Sequence, residues 1–204
     1  MEKKKVSMQD MSLEDKKKVL AESGIVVGAI LLLCYFFGFS YVWNTSYGAE
    51  VSVNGWNYII AGFAYIFSGF KFNFRATGAA FGDLAVPFNY YARVYVRVLA
   101  IATVISVIIL LVYILLSALN IKKYSAKLET ITMIVLYVLA VAFLVCIVTG
   151  LAMNGSKILP KYCSGNPQCS IATLAFFPFF ITLITAIVHS VFLYKNKESE
   201  VEEE

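Results

Sequence analysis

The sequence predicts an all-α membrane protein: an antiparallel four-helix transmembrane bundle with a small extracellular subdomain, short strands plus an interfacial helix, between spans one and two. Three observations predict it. Of the 204 residues, 60% are hydrophobic and 15% charged, and the mean hydropathy is +0.76. A water-soluble chain of this size has no interior large enough to hide so much apolar surface. The apolar residues gather in four runs of about twenty, the length that crosses a hydrocarbon core of about 30 Å as helix. Lysines cluster before the first run and between the second and third, whereas the connection between the first and second is long, aromatic and broken by glycine.

Residues 1–23 form a basic cytoplasmic segment carrying Lys3, Lys4, Lys5, Lys16, Lys17 and Lys18. Ser12 followed by Asp15 fits a capping box. It predicts a short helix over Leu13–Glu22, lying on the membrane with its lysines toward anionic headgroups. A mobile tail that only sets topology is the other reading. The first span is expected over 24–43, within a membrane domain of 24–194. No small-x-small cleavage site follows it, so it reads as an uncleaved anchor. Gly24 and Gly28 form a GxxxG that admits close helix approach, either inside the chain's own bundle or between two copies.

The outer subdomain is expected over 44–93. Glu50–Trp56 alternates like a short strand, and Asn54-Gly55 is a tight-turn signal. Asn57–Phe70 is apolar but too short to span, which leaves an interfacial helix, a re-entrant segment or strands. Phe70–Arg75 alternates apolar and polar, a strand signature. Trp56 and Tyr58 are candidate partner or lipid contacts. Arg93 and Arg97 are four residues apart and share one helix face. There they snorkel in an aromatic belt, or bind an anionic lipid headgroup or a carboxylate such as Glu50 or Asp83.

The second span is expected over 94–119, in a helix that starts near Asn89. A hinge over Asn120–Glu129 carries Lys122, Lys123 and Lys127, and the third span follows over 130–153. In the outer loop 154–170, Pro160 and Pro167 exclude regular helix. Cys163 and Cys169 flank Ser-Gly-Asn-Pro-Gln there, a spacing that closes a small disulfide ring in an oxidising compartment. Unpaired thiols are the other reading. Cys34 and Cys146 sit in apolar runs and read as packing residues. The fourth span is expected over 171–194, bent at Pro178. His189, near its inner end, is a functional candidate as an ionisable residue in a span, but at that depth it reads first as an interfacial histidine facing water or headgroups. Residues 195–204 form an acidic cytoplasmic tail, expected to be solvated and disordered.

Charge sets the orientation. Eleven of the 17 Lys and Arg residues lie in the N-terminal segment, the hinge and the start of the tail. The positive-inside rule then places both termini in the cytoplasm of a cell-membrane protein. The same distribution makes anionic headgroups at the cytoplasmic face the expected partner and excludes nucleic acid, because the basic residues form tails rather than a stripe on a folded face.

There is no HExxH, no GxSxG, no phosphate-cradling glycine loop and a single histidine. An enzyme, a cofactor and a metal site are therefore not expected. Within these span boundaries no Asp, Glu, Lys or Arg falls in a span core, which counts against ion-coupled transport. The expectation is a non-enzymatic scaffold or accessory subunit. Its outer aromatic segment contacts a protein, lipid or envelope partner, by association with a membrane protein or with itself. The alternative is a small oligomeric channel or transporter component, with Thr130, Thr132, Thr149, Thr182 and Thr185 as a polar seam. Such threonines more often bond their own helix backbone.

In layout the chain resembles the claudin-like tetraspan group, with cytoplasmic ends, a long first outer loop containing strands and a short second one. Trp43 and Gly55-Trp56 stand nearest that family's loop motif. There is no Gly-Leu-Trp and both outer cysteines lie in the second loop, so no site residue carries over. Its Lys/Ile/Phe/Tyr-rich usage and the stretch Val53-Asn54-Gly55-Trp56 also resemble small four-span membrane proteins of low-GC bacteria, which implies no activity.

Overall fold

The computed structural model describes residues 12–44, 49–70, 93–155, 168–171 and 175–202. In chain order they form α1 (Leu13–Cys34), β1 (Gly38–Asn44), β2 (Ala49–Asn54), α2 (Gly55–Phe67), α3 (Arg93–Lys122), α4 (Ala126–Gly155), β3 (Gln168–Ile171) and α5 (Phe176–Glu202). Three helical stretches are long and apolar enough to cross a membrane: Arg97–Lys122, Ala126–Ala152 and Phe176–Lys195. The molecule is of the helical membrane class.

Helix α1 starts where the capping signal predicts. Ser12 Oγ accepts from the Asp15 backbone N–H at 3.2 Å and donates to the Asp15 carboxylate at 2.7 Å. The surface helix and the first span are one continuous element. The span expected over 24–43 is corrected, because the helix ends at Cys34 and Gly38–Asn44 is a strand. The apolar part of α1, from Ser23 to Cys34, is about 18 Å long at 1.5 Å per residue. That falls short of a bilayer core of about 30 Å.

The strand forms because aromatic and β-branched residues suit a pleated backbone and two neighbours take up its hydrogen bonds. β1 lies at the centre of a three-stranded antiparallel sheet ordered β2-β1-β3. Val42 pairs with Val51 on one side and Cys169 on the other, so the sheet joins the segment between α1 and α2 to the one that precedes α5. The register shifts between Gly38 and Ser40, a bulge at the strand's entry.

Asn54-Gly55 does not make the expected hairpin turn. It starts a helix. Asn54 Oδ1 accepts from the Asn57 N–H at 3.0 Å, and Asn57 Oδ1 accepts from the Asn54 N–H at 3.2 Å. This reciprocal cap converts the end of β2 directly into α2. Of the strand expected over Phe70–Arg75, only Phe70 is described, in a turn with φ 65°; residues 71–92 lie outside the described residues, with the proposed start of the second span at Asn89.

Helices α3 and α4 reach further than the expected spans, and both enclose Lys-flanked ends of the apolar runs. The helix expected from 171 begins at Phe176, because Ile171 belongs to β3. Pro178 therefore falls in the first turn of α5, where no intrahelical N–H is required, rather than bending a span. Helix α5 also continues to Glu202 through most of the stretch expected to be disordered.

The core is a knobs-into-holes seam. Along α3 the buried residues Leu99, Thr103, Ser106, Leu110, Tyr113, Ser117 and Asn120 are spaced alternately by four and three, with Ala100, Ala102, Val104 and Val107 buried beside them. Along α4 the buried residues Glu129, Thr132, Leu136, Leu139, Phe143 and Cys146 show the same alternation, with Ala140, Ala142, Ile147 and Thr149 buried beside them. This 3.5-residue period is the signature of left-handed helix packing. Gly24 and Gly28 of α1 lie against α3. A β-carbon on Gly24 would stand 2.6 Å from Ser117 Oγ, and one on Gly28 would run into Ile114. The GxxxG thus serves contact within the chain.

Helix α2 continues along α3 where α1 leaves it. Tyr35, just past α1, meets Ser106, whereas Gly62 of α2 lies against Ala100 and Val104. Arg97 sits over the Tyr65 ring at 5.0 Å. From Ser117 to Arg97, α1 and α2 together cover about 30 Å of α3.

Candidate functional site

The ends of the bundle differ in chemistry. Toward the sheet, the seam is filled by Tyr35, Leu99, Leu110 and Phe143. Toward the α3–α4 turn, which carries Lys122 and Lys123, it becomes polar. Asn120 closes the α3 seam, Glu129 and Thr132 open that of α4, and His189 ends that of α5.

These four residues make one network. Glu129 and His189 are each 1% exposed, and Glu129 Oε1 is bonded to His189 Nδ1. The other carboxylate oxygen, Oε2, accepts from Asn120 Nδ2 at 3.1 Å. The same Nδ2 lies 3.2 Å from Thr132 Oγ1, whose hydroxyl donates to the Leu128 carbonyl at 3.0 Å. One hydrogen must stand between Oε1 and Nδ1, since two lone pairs in contact would repel. A buried carboxylate costs several kcal/mol in desolvation unless its oxygens are partnered. Here both are, by residues from two other helices.

The network has spare capacity. His189 Nε2 and Asn120 Oδ1 are buried and without a hydrogen-bond partner among the described residues. The Tyr113 ring meets the imidazole edge-on, with centroids 6.4 Å apart. One turn along, Tyr113 and Ser117 bring their hydroxyls to the space left by the missing side chain of Gly24. Outside the cluster, a cleft of about 520 Å³ opens between α1 and the α3–α4 turn, and Asn120 forms part of its wall. Lys17 lies at its edge, 4.6 Å above the Tyr124 ring.

This arrangement overturns two expectations. Glu129 is not in a solvated hinge but inside α4, within a stretch long enough to cross a membrane. His189 does not face water or headgroups. An ionisable side chain is thus buried between the helices one turn from the start of the Ala126–Ala152 stretch. A charged residue beside three lysines reads as solvated, and that hid the site. The heptad was the available signal: Glu129 stands seven residues before Leu136, and Asn120 seven after Tyr113.

The outer candidates are not brought together on one surface. Tyr58 is buried in the core, and Trp56 is half-buried against Phe36, with ring centroids 5.4 Å apart. Arg97 is half-buried beside Tyr65. Arg93 begins α3, and its side chain lies outside the described residues, as does Cys163. Cys169 is placed in β3 by its backbone only, so the expected disulfide also lies outside the description. Thr130, Thr132, Thr182 and Thr185 each donate to the carbonyl four residues earlier. Among the described residues no three of His, Cys, Asp and Glu gather to hold a metal ion.

Comparison with protein-family models, with curated proteins and with solved structures finds no match to this chain. The cluster's chemistry must be read from its own atoms. It can hold a proton, and it ties three helices together.

Proposed function

We propose that this chain is a non-enzymatic multi-pass membrane protein acting as a scaffold or accessory subunit, and that its outer aromatic segment contacts another membrane protein. The filling of the bundle axis supports this reading over a pore. Leu110, Tyr113, Leu136, Leu139 and Phe143 are all essentially inaccessible and fill the axis between the described helices. Four crossings fit this role, the first made in two pieces by α1 and α2 along α3. The lysine count then places both termini and the polar cluster at the cytoplasmic side of the cell membrane.

Helix α2, the described helix of the outer segment, is tied down at both ends, as a contact surface requires. The Trp56 N–H donates to the Tyr35 carbonyl at 3.2 Å, joining α2 to the end of α1. At its far end α2 closes with a turn in which the Phe70 N–H reaches the Tyr65 carbonyl at 2.9 Å. That turn leaves Phe67 83% exposed, beside Phe70.

Crosslinking and pull-down from native membranes tests the proposal. The wild type should retain a membrane-protein partner that Phe67→Ser/Phe70→Ser loses. Passage of ions through liposomes holding the purified protein would sink the scaffold reading, as would identical partner recovery by the variant.

A further inference from the structure

We propose that Glu129 and His189 form a proton-binding site inside the helix bundle, loaded from its lysine-bearing end through Asn120. The inference is independent of the scaffold reading. Three observations carry it.

The first is the pair itself, an ionisable couple enclosed by α3, α4 and α5. Ionisable residues in membrane helices are costly and are retained mostly for proton or ion chemistry.

The second is its one-sided access. Asn120 belongs both to the residues lining the cleft and to the hydrogen bond on Glu129 Oε2, so one residue links carboxylate and cleft. Its Oδ1 is buried with no hydrogen-bond partner among the described residues, an acceptor still to be satisfied. Toward the sheet end the way is closed by Leu110, Tyr113, Leu136 and Phe143.

The third is an open position for the proton. His189 Nε2 is buried and unpartnered. With Glu129 ionised and the imidazole neutral, Nδ1 holds the hydrogen shared with Oε1, and the pair carries one negative charge. A hydronium entering by the cleft adds its proton to the pair. Both ring nitrogens then carry hydrogen, a water returns to the cleft, and the pair is neutral. Uptake thus removes a net charge from a medium that solvates it poorly.

Few other titratable groups among the described residues face the pair. Tyr113 meets the imidazole from α3. Around the cleft, α1 contributes Glu14, Asp15, Lys17 and Lys18, while Lys122 and Tyr124 stand at the end of α3. Lys127 of α4 and Lys195 of α5 are exposed toward the same end.

His189 is the only histidine of the chain, so imidazole-15N labelling reports this site alone. Protein is reconstituted in one orientation in vesicles, and pH is varied on each side separately between about 5 and 8, where histidines ordinarily change charge. Expected are an Nε2 shift that follows pH on the lysine side only, a displaced titration in Glu129→Gln, and loss of rapid proton exchange in Asn120→Leu. A purely structural pair would give an imidazole signal that ignores pH on both sides. That result, an equal response to either side, or an unaltered titration in Glu129→Gln overturns the proposal. Where Glu129→Gln fails to fold, the sidedness of the wild type decides alone.

Discussion

The hydroxyls of Tyr35 and Ser106 lie 2.6 Å apart, although 71 residues separate them. Both are fully buried. The contact fixes where α1 stops on α3 and where the sheet begins. Ser106 also donates to the Thr103 carbonyl at 2.8 Å, so its hydroxyl keeps a partner when Tyr35 loses its own. Tyr35→Phe should therefore cost only about 1 kcal/mol, the net worth of one buried hydrogen bond. Tyr35→Ala also empties the space against Phe143 and should cost about 3–5 kcal/mol. Denaturant titration of the protein in detergent measures both, and equal losses would assign the residue's role to the hydroxyl rather than the ring.

Two glycines of the α2 region should fail for different reasons. A β-carbon on Gly62 would stand 2.6 Å from the Ala100 carbonyl oxygen, which is backbone and cannot move aside. Gly62→Ala should lift α2 from α3 at a cost of about 1–3 kcal/mol. Gly69 has φ 65° and nothing within 4 Å of an added carbon. Gly69→Ala meets only backbone strain, about 1 kcal/mol. Proteolysis of α2 under native conditions distinguishes them: Gly62→Ala should expose cleavage sites that Gly69→Ala does not.

The cap of α2 is a separate test. Asn54→Ala removes the acceptor that binds the Asn57 N–H and should cost about 1 kcal/mol. Asn54→Asp keeps an acceptor at the helix N-terminus and should retain most of that stability. If Asn54→Ala unfolds at the wild-type denaturant concentration, the cap contributes nothing to seating the helix.

The buried pair should show strong coupling. Glu129→Leu leaves His189 Nδ1 without its acceptor inside the bundle and Asn120 Nδ2 with Thr132 Oγ1 alone, and breaking one partner of such a pair costs about 3–5 kcal/mol. Glu129→Leu with His189→Leu removes both polar ends and should recover much of that loss. A double-mutant cycle measures the difference. Additive losses would mean that the two residues do not interact in the folded protein.

The sequence by itself determined the class and most of the helices. Continuous apolar length specified α3, α4 and the body of α5, because in lipid only an internally hydrogen-bonded helix satisfies the backbone. Ser12 and Asp15 marked the start of α1, since a cap acts within one turn. The back-bonded threonines were legible for the same local reason.

Tertiary structure decided what depends on partners distant in the chain. Phe36 to Trp43 is apolar enough to continue a helix, and only pairing with β2 and β3 makes part of it a strand. Asn54-Gly55 suits a hairpin as well as a helix cap, and the seat on Tyr35 and α3 selects the cap. Whether Glu129 is a solvated charge or a buried acceptor depends on His189, sixty residues away, and on Asn120 across the turn. A carboxylate's surroundings are set by which helices close over it, and no local pattern contains that information.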